Sequence, residues 1–154
     1  MDIRPLQPGD APAARALVEG TVSRTPYGAL PLLALDRAFE GESDESLAVV
    51  AADEGQLAGI ALYGLVAGAK GAGKLHFVTV TAAARLQGVA ARLLDAAADD
   101  LRRRGGRLVI AETPDDPMTR PGLSLLERSG FVLEGRVAGF YRDGVDLLLL
   151  RRDL

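Results

Sequence analysis

The sequence predicts a mixed α/β chain of the α+β kind, in which helices flank a mostly antiparallel sheet and one strand, helix, strand unit is parallel. Three observations predict it. The chain has 154 residues, 48% of them apolar and 25% charged, the size and composition of one globular domain. Its apolar periodicity switches back and forth between strand and helix values. No internal repeat, linker or low-complexity segment divides it, so residues 1–154 are expected to form a single domain.

The opening "DIRPL" has the composition of a short strand. "PGDAPAARALVEGTV" then reads as a helix, with Asp10 as N-cap and Pro12 in its first turn. A second helix covers Leu30 to Phe39 and stops at Gly41. "SLAVVAA" and "QLAGIALYGLVA" form a hairpin across the acidic, glycine-containing turn at Asp53 to Gly55. After the glycine-rich "AGAKGAG", "KLHFVTV" is a strand by composition and length. From Gly88 the period becomes helical: Val89, Leu93, Leu94, Ala97 and Leu101 share one face, and Gly105 and Gly106 end it. "RLVIAE" is a buried strand, "TPDDP" a turn-rich loop, and "GLSLLERSG" a short helix closed by Gly130. "FVLEGRVAG" and "VDLLLLRRDL" are two final strands joined through "FYRDG". The unit from Lys74 to Glu112 is expected to make a right-handed parallel crossover.

Composition narrows the function. No apolar run reaches the roughly 18 residues that cross a bilayer, and "MDIRPLQPGD" lacks the basic and hydrophobic regions of a signal peptide, so a cytoplasmic protein without a membrane partner is expected. With no cysteine there is no disulfide, thiolate ligand or cysteine nucleophile, and with a single histidine no metal is expected. A net charge of −3 argues against nucleic acid as a partner. The one basic cluster, Arg102 to Arg104, ends a helix and suits its macrodipole. The apolar "VDLLLL", taken as a sheet edge, allows a homodimer.

The most informative stretch is "RLQGVAARLL", Arg85 to Leu94, where a helix starts without a Ser, Thr, Asp or Asn cap. A first turn leaves four N–H groups without intrahelical partners, and the macrodipole adds about half a positive charge there. Arg85 adds another positive charge, unfavourable for a bare helix end but suited to an anion resting on the amides. Gly88 permits close approach to the backbone, and Ala90 and Ala91 keep the next turn uncrowded. The pattern reads as a diphosphate cradle. It is not a Walker loop, because no Gly-Lys-Ser/Thr follows, nor a dinucleotide fingerprint, because GxGxxG is missing.

The order of "LHFVTV", "TAAAR", the amphipathic helix, "RLVIAE" and "LLERSGF" resembles the GCN5-related N-acetyltransferase superfamily over nearly the whole chain. In that family Val-x-x-x-x-Arg/Gln-x-x-Gly-x-Gly/Ala binds the pyrophosphate of acetyl-CoA; here the positions are Val80, Arg85, Gly88 and Ala90. Ala82 stands where the family often has proline, and Ala90 replaces a second glycine. Leu126 stands where the family often places a tyrosine that protonates the departing thiolate. The resemblance implies a GNAT-like sheet whose parallel unit forms the acetyl-CoA cleft, and direct acetyl transfer to a primary amine of a small molecule or peptide. It also implies that the backbone of Val78, Thr79 and Val80 holds the pantetheine arm and polarises the thioester carbonyl. The amides from Arg85 through Leu86, Gln87, Gly88 and Val89 to Ala90 would take the diphosphate, with the Arg85 and Gln87 side chains as additional partners.

An alkylammonium has no lone pair, so attack needs a general base, directly or through water. His76, with an ordinary pKa of about 6.5, and Glu112, at the end of "RLVIAE", are the candidates; either is equally a structural residue of its strand. Tyr141 in "GFYRDG" is the candidate acid, against a role as a packed turn aromatic. Without a tyrosine at 126, a thiol of pKa about 8.5 is already a fair leaving group. Tyr27 and Phe39, in or near the early helices, are candidates to line the acceptor pocket, with a core position the better reading of Phe39. Glu112, Asp115 and Asp116 make an acidic loop that favours a cationic amine. Two other readings stand beside the enzyme: a non-catalytic acyl-CoA-binding or partner-binding module, and a phosphate-binding protein unrelated to CoA.

Overall fold

In the computed structural model, which describes residues 1–27, 30–41 and 43–154, the strands are β1 (Asp2–Pro5), β2 (Leu47–Asp53), β3 (Gln56–Leu65), β4 (Ala72–Val80), β5 (Leu108–Pro114), β6 (Val132–Arg142) and β7 (Val145–Asp153). The helices are α1 (Ala11–Val22), α2 (Leu30–Glu40), α3 (Val89–Arg103) and α4 (Arg120–Arg128). One sheet runs β1-β2-β3-β4-β5-β7-β6. Every neighbouring pair is antiparallel except β4 and β5, and this parallel pair is bridged by α3. No helix among the described residues is long and apolar enough to cross a membrane.

The β2–β3 hairpin turns at Glu54 (φ 48°) and Gly55 (φ 82°). Two successive left-handed residues give the tight turn whose twist matches the strands it joins. Period-2 alternation then divides the sheet into two faces. Val50, Ile60 and Leu62 meet Ala14 and Val18 of α1 and Leu35 of α2. Val49, Ala51, Ala61 and Tyr63 meet Leu93, Leu94, Ala97 and Leu101 of α3. The interior strand β3 is buried on both faces, which is why its sequence is a continuous apolar run rather than an alternating one. All five apolar positions expected along α3 are buried.

Two strand glycines set how closely α3 packs. A Cβ at Gly59 would stand 2.8 Å from Leu93 Cδ1, and one at Gly73 2.8 Å from Leu101 Cδ1. A third, Gly64, receives the 43–46 loop: a Cβ there would lie 1.9 Å from the Glu45 carbonyl oxygen. The same loop is tied down by Leu65 N–H donating to Asp44 O at 2.8 Å.

Several expectations change. Asp10 does not cap α1; its carboxylate receives the Arg4 guanidinium at 2.8 and 2.9 Å and the Gln7 N–H at 2.8 Å. The cause is local, since a 3-10 turn at Pro8–Asp10 precedes the helix and makes Asp10 its last residue, aimed backwards. β4 starts at Ala72 and β5 continues to Pro114, so both strands take in residues expected in loops. "FYR" belongs to β6, and the connection shrinks to Asp143 and Gly144. β7 is interior, between β5 and β6, so "VDLLLL" offers no free edge for pairing between chains. Arg102 to Arg104 do more than answer the macrodipole: they pair with Asp99 and Asp100, and Arg104 reaches Asp44 at 2.6 Å.

Gly64→Ala is expected to lower the unfolding free energy by about 1–3 kcal/mol, the usual effect of forcing an atom into filled space. Urea unfolding measures it. A variant as stable as the parent would mean that the 43–46 loop does not rest on β3.

Candidate active site

The parallel β4–β5 ladder covers only Ala72↔Leu108 to Leu75↔Ala111, yet β4 continues to Val80 and β5 to Pro114. Beyond Leu75 the two strands part, at their carboxyl ends, where open α/β sheets place their ligands. Next to the fork, β4 carries a bulge. Leu62 pairs with Phe77 and Tyr63 with Leu75, leaving His76 as the extra residue. The bulge also switches faces: Leu75 packs with the α3 core and Phe77 with the α1/α2 core. Bulges re-aim side chains in this way, and His76 is turned into the cleft beside the fork.

Past the bulge, the side chains of β4 are occupied. Val78 and Val80 pack towards α3, and the Thr79 hydroxyl meets that of Thr21 at 2.7 Å. Thr81 N–H donates to Ala58 O at 2.8 Å, so by the alternation of an antiparallel ladder Thr79 faces β3 while Val78 and Val80 turn their N–H and C=O groups into the fork. From there the chain passes through a 3-10 turn at Ala82–Ala84 into the start of α3.

That start is a helix end without a side-chain cap. Gly88, at φ 75° and ψ 9°, occupies the N-cap position with no side-chain cap. The first helical bond is Arg92 N–H to Gly88 O at 3.1 Å. Among the described residues, the N–H groups of Leu86, Gly88, Val89, Ala90 and Ala91 find no acceptor. Arg85 forms no ion pair among them, whereas Gln87 folds its amide onto Ala83 O at 2.6 Å. Leu86 is fully exposed and left-handed, with φ 65°; that backbone costs a non-glycine residue roughly 1–2 kcal/mol.

His76, Glu112 and Tyr141, far apart in sequence, line one open cleft of about 990 Å³ between β4, β5, α2 and the β6–β7 hairpin. His76 Nε2 stands 3.3 Å from Glu45 O. The ring keeps access to solvent, but the protein around it, aided by the cations of Lys74 and Arg37, holds its pKa below the usual histidine value against that hydrogen bond. Burial first, then the charge of Glu112, raises the Tyr141 phenol above its ordinary value. At neutral pH the cleft therefore holds a neutral imidazole and a protonated phenol. Glu112 is not free, because Lys74 Nζ lies 3.4 Å from its Oε1. Lys74 was legible as the residue two before His76 on the same strand, but its partner across the parallel ladder was not.

The acidic loop after β5 is neutralised internally. Asp115 pairs with Arg136 at 2.8 Å, and buried Asp116 accepts from the Tyr27 hydroxyl, the Arg142 guanidinium at 3.0 Å and the Met118 N–H at 3.2 Å. This latch joins the segment after α1 to the hairpin and sets Tyr27 against Tyr141, edge to face at 5.3 Å. Tyr27 thus lines the cleft. Phe39 packs in the α1/α2 core, and Leu126 is buried in the other core rather than facing the fork.

A family model described as acetyltransferase (GNAT) family matches residues 17–131. Among solved structures, a GNAT-family protein from Desulfovibrio desulfuricans is 30% identical, with TM-score 0.89 over 99% of this chain and 98% of its own. The ribosomal-protein-alanine N-acetyltransferase of Brucella melitensis is 24% identical, TM-score 0.79, over the whole of both chains. An aminoglycoside 6'-N-acetyltransferase complexed with coenzyme A shares the fold at 16% identity, TM-score 0.83, over 99% of this chain and 97% of that one. No curated protein matches the sequence significantly.

Asp116→Ala is expected to release Tyr27 and Arg142 together. Trypsin cleavage after Arg24 and Arg142 should accelerate several-fold while the sheet stays resistant, since proteolysis samples local opening. Unaltered cleavage at both sites would show that Asp116 does not hold them.

Proposed function

Because this chain belongs to the GNAT acetyltransferase family, we propose that it transfers the acetyl group of acetyl-CoA directly to a primary amine, with His76 as general base and Tyr141 as general acid. The observation that carries this reading is their meeting in one cleft beside the β4–β5 fork, the imidazole neutral and the phenol protonated.

The residues fit the cosubstrate. The free N–H groups of Leu86 and of Gly88 to Ala91, with Arg85 beside them, match a diphosphate. The backbone of Val78 and Val80 offers the fork a donor and an acceptor each, which matches an amide-bearing pantetheine arm. Gln87 offers neither group, its N–H being donated to Ala84 O at 3.4 Å and its side-chain amide to Ala83 O. Acetyl-CoA supplies a thioester carbonyl carbon; the amine's lone pair forms the C–N bond there while the C–S bond breaks, leaving an acetamide and CoA.

The chain manages the protons. His76, with Nε2–H donating to Glu45 O, keeps the lone pair of Nδ1 to accept the amine proton. An N–H of Val78 or Val80 polarises the carbonyl where negative charge gathers. Tyr141 donates to the departing sulfur, the role for which the tyrosine at 126 is missing. Lys74 and Arg37 disfavour an ammonium nearby, which leaves more of the acceptor as free amine. Glu112, held by Lys74, positions rather than abstracts.

Two outcomes follow. Gly88→Glu places a negative side chain at the cradle, and acetyl-CoA affinity measured by calorimetry should fall at least about tenfold, as for a charge repelled at close range. Gly88→Ala separates backbone strain from charge, because a Cβ there meets nothing within 4 Å; equal losses in both variants would refute an anion site. In the pH profile of kcat/KM, the acid limb should fall below the ordinary histidine pKa of about 6.5. His76→Ala should abolish that limb and lower kcat about 10²–10⁴-fold, the usual worth of a general base. A limb retained in His76→Ala would assign the base elsewhere.

A further inference from the structure

We propose that the acceptor is a free α-amino acid with an apolar side chain, held by its carboxylate on Arg37 and by its side chain along α2. This rests on the cleft being the acceptor site of an acetyltransferase. Spacing on α2 builds one wall of the site. Leu30, Leu33, Ala34 and Arg37 all line the cleft, and positions separated by three or four residues share one helical face. One wall is therefore a stripe about 10 Å long, apolar at its first end and cationic at the other. Leu30 and Leu33 are 75% and 47% exposed along it. An apolar stripe open to solvent within a cleft is suited to an apolar group on a ligand.

The charges specify the other end. Among the described residues, five charged ones line the cleft: Arg37, Lys74, Glu40, Glu45 and Glu112. Lys74 and Glu112 satisfy each other at 3.4 Å. Arg37 forms neither an ion pair nor a side-chain hydrogen bond among the described residues, although Glu40 stands one turn further along the same helix. A guanidinium is a planar fork that binds carboxylate through two parallel N–H donors. It is also close enough to His76 to bear on that ring's protonation. In an α-amino acid the amine and the carboxylate are separated by one carbon, so a carboxylate on Arg37 brings the amine to the imidazole and leaves the side chain free to run back along Leu33 and Leu30. The acidic loop that would draw a polycation is not free to do so, since Asp115 and Asp116 are already engaged by Arg136, Arg142 and Tyr27. The α-amine is the nucleophile: its lone pair forms the C–N bond as the C–S bond breaks, giving an N-acetyl amino acid and CoA.

The test uses the full chain with L-leucine, L-leucinamide and the aminoglycoside kanamycin. Thiol release from acetyl-CoA gives kcat/KM, and calorimetry on enzyme saturated with CoA gives acceptor affinity without turnover. Wild type should favour leucine over leucinamide by about tenfold, the scale of one charge-assisted bidentate pair, with kanamycin poorest. In Arg37→Gln the ratio should collapse towards one, through KM rather than kcat. Leu33→Ala, which removes apolar surface without adding a charge beside Arg37, should weaken leucine but not glycine. Equal affinity for leucine and leucinamide in the wild type, or a ratio that survives Arg37→Gln, would overturn the proposal. Leucine binding that depends on Arg37 without acetyl transfer would sustain the carboxylate site while refuting the transferase assignment.

Discussion

The rest of the site depends on β4 and β5 ceasing to pair after Leu75 and Ala111. A parallel pair with both strands continuing must either keep its ladder or expose backbone donors and acceptors, and unpaired groups are costly to bury. Here they open onto a cleft. The fork leaves Val78 and Val80 with unused backbone groups while the sheet on either side holds the strands at fixed separation. A ligand that completes this interrupted ladder gains hydrogen bonds without having to displace protein ones. The catalytic chemistry assigned to the cleft therefore rests on rigid strands rather than on loops, which suits groups that must stand in precise relation to a thioester.

Packing on both faces keeps the fork open. Gly59 and Gly73 let α3 lie close against β3 and β4, so the helix enters at a fixed height and its bare first turn stands where β4 ends. On the opposite face Gly64 lets the 43–46 backbone lie on the sheet, and the carbonyl that this presents, Glu45 O, meets His76. One absent side chain thus helps to fix the tautomer of a candidate base. The bulge completes the arrangement by turning His76 towards the cleft while Leu75 and Phe77 anchor opposite cores. The buried Tyr63 hydroxyl donates to Asp100 of α3 at 2.8 Å, adding a polar tie between helix and sheet in the same layer.

Electrostatics then separates the two titrating groups. Desolvation and neighbouring cations lower the pKa of His76, while desolvation and the Glu112 carboxylate raise that of Tyr141. Such divergence leaves a neutral imidazole and a protonated phenol in one cleft, the pairing that the proposed base and acid require. Depressing the histidine pKa has a sign for stability as well. The unfolded chain binds the proton more tightly than the folded one, so this group favours folding above the ordinary histidine pKa and disfavours it progressively as the pH falls below it.

The sequence by itself determined the order of the secondary elements, the apolar face of α3 and the uncapped helix start after Gly88, because these depend on contiguous residues: a period, a glycine, a missing cap. The same local grammar made the family resemblance legible. It misassigned Asp10 because two overlapping turns competed for one carboxylate, and it misread "VDLLLL" as an edge because strand order is not a local property. Only the tertiary structure decided where the β4–β5 ladder ends, that Lys74 holds Glu112, that Asp116 joins Tyr27 to Arg142, and that Arg37 faces the cleft without an ion pair among the described residues. Each of these joins residues distant along the chain. Their proximity is set by the packing of whole helices and strands, which no spacing of residue types encodes.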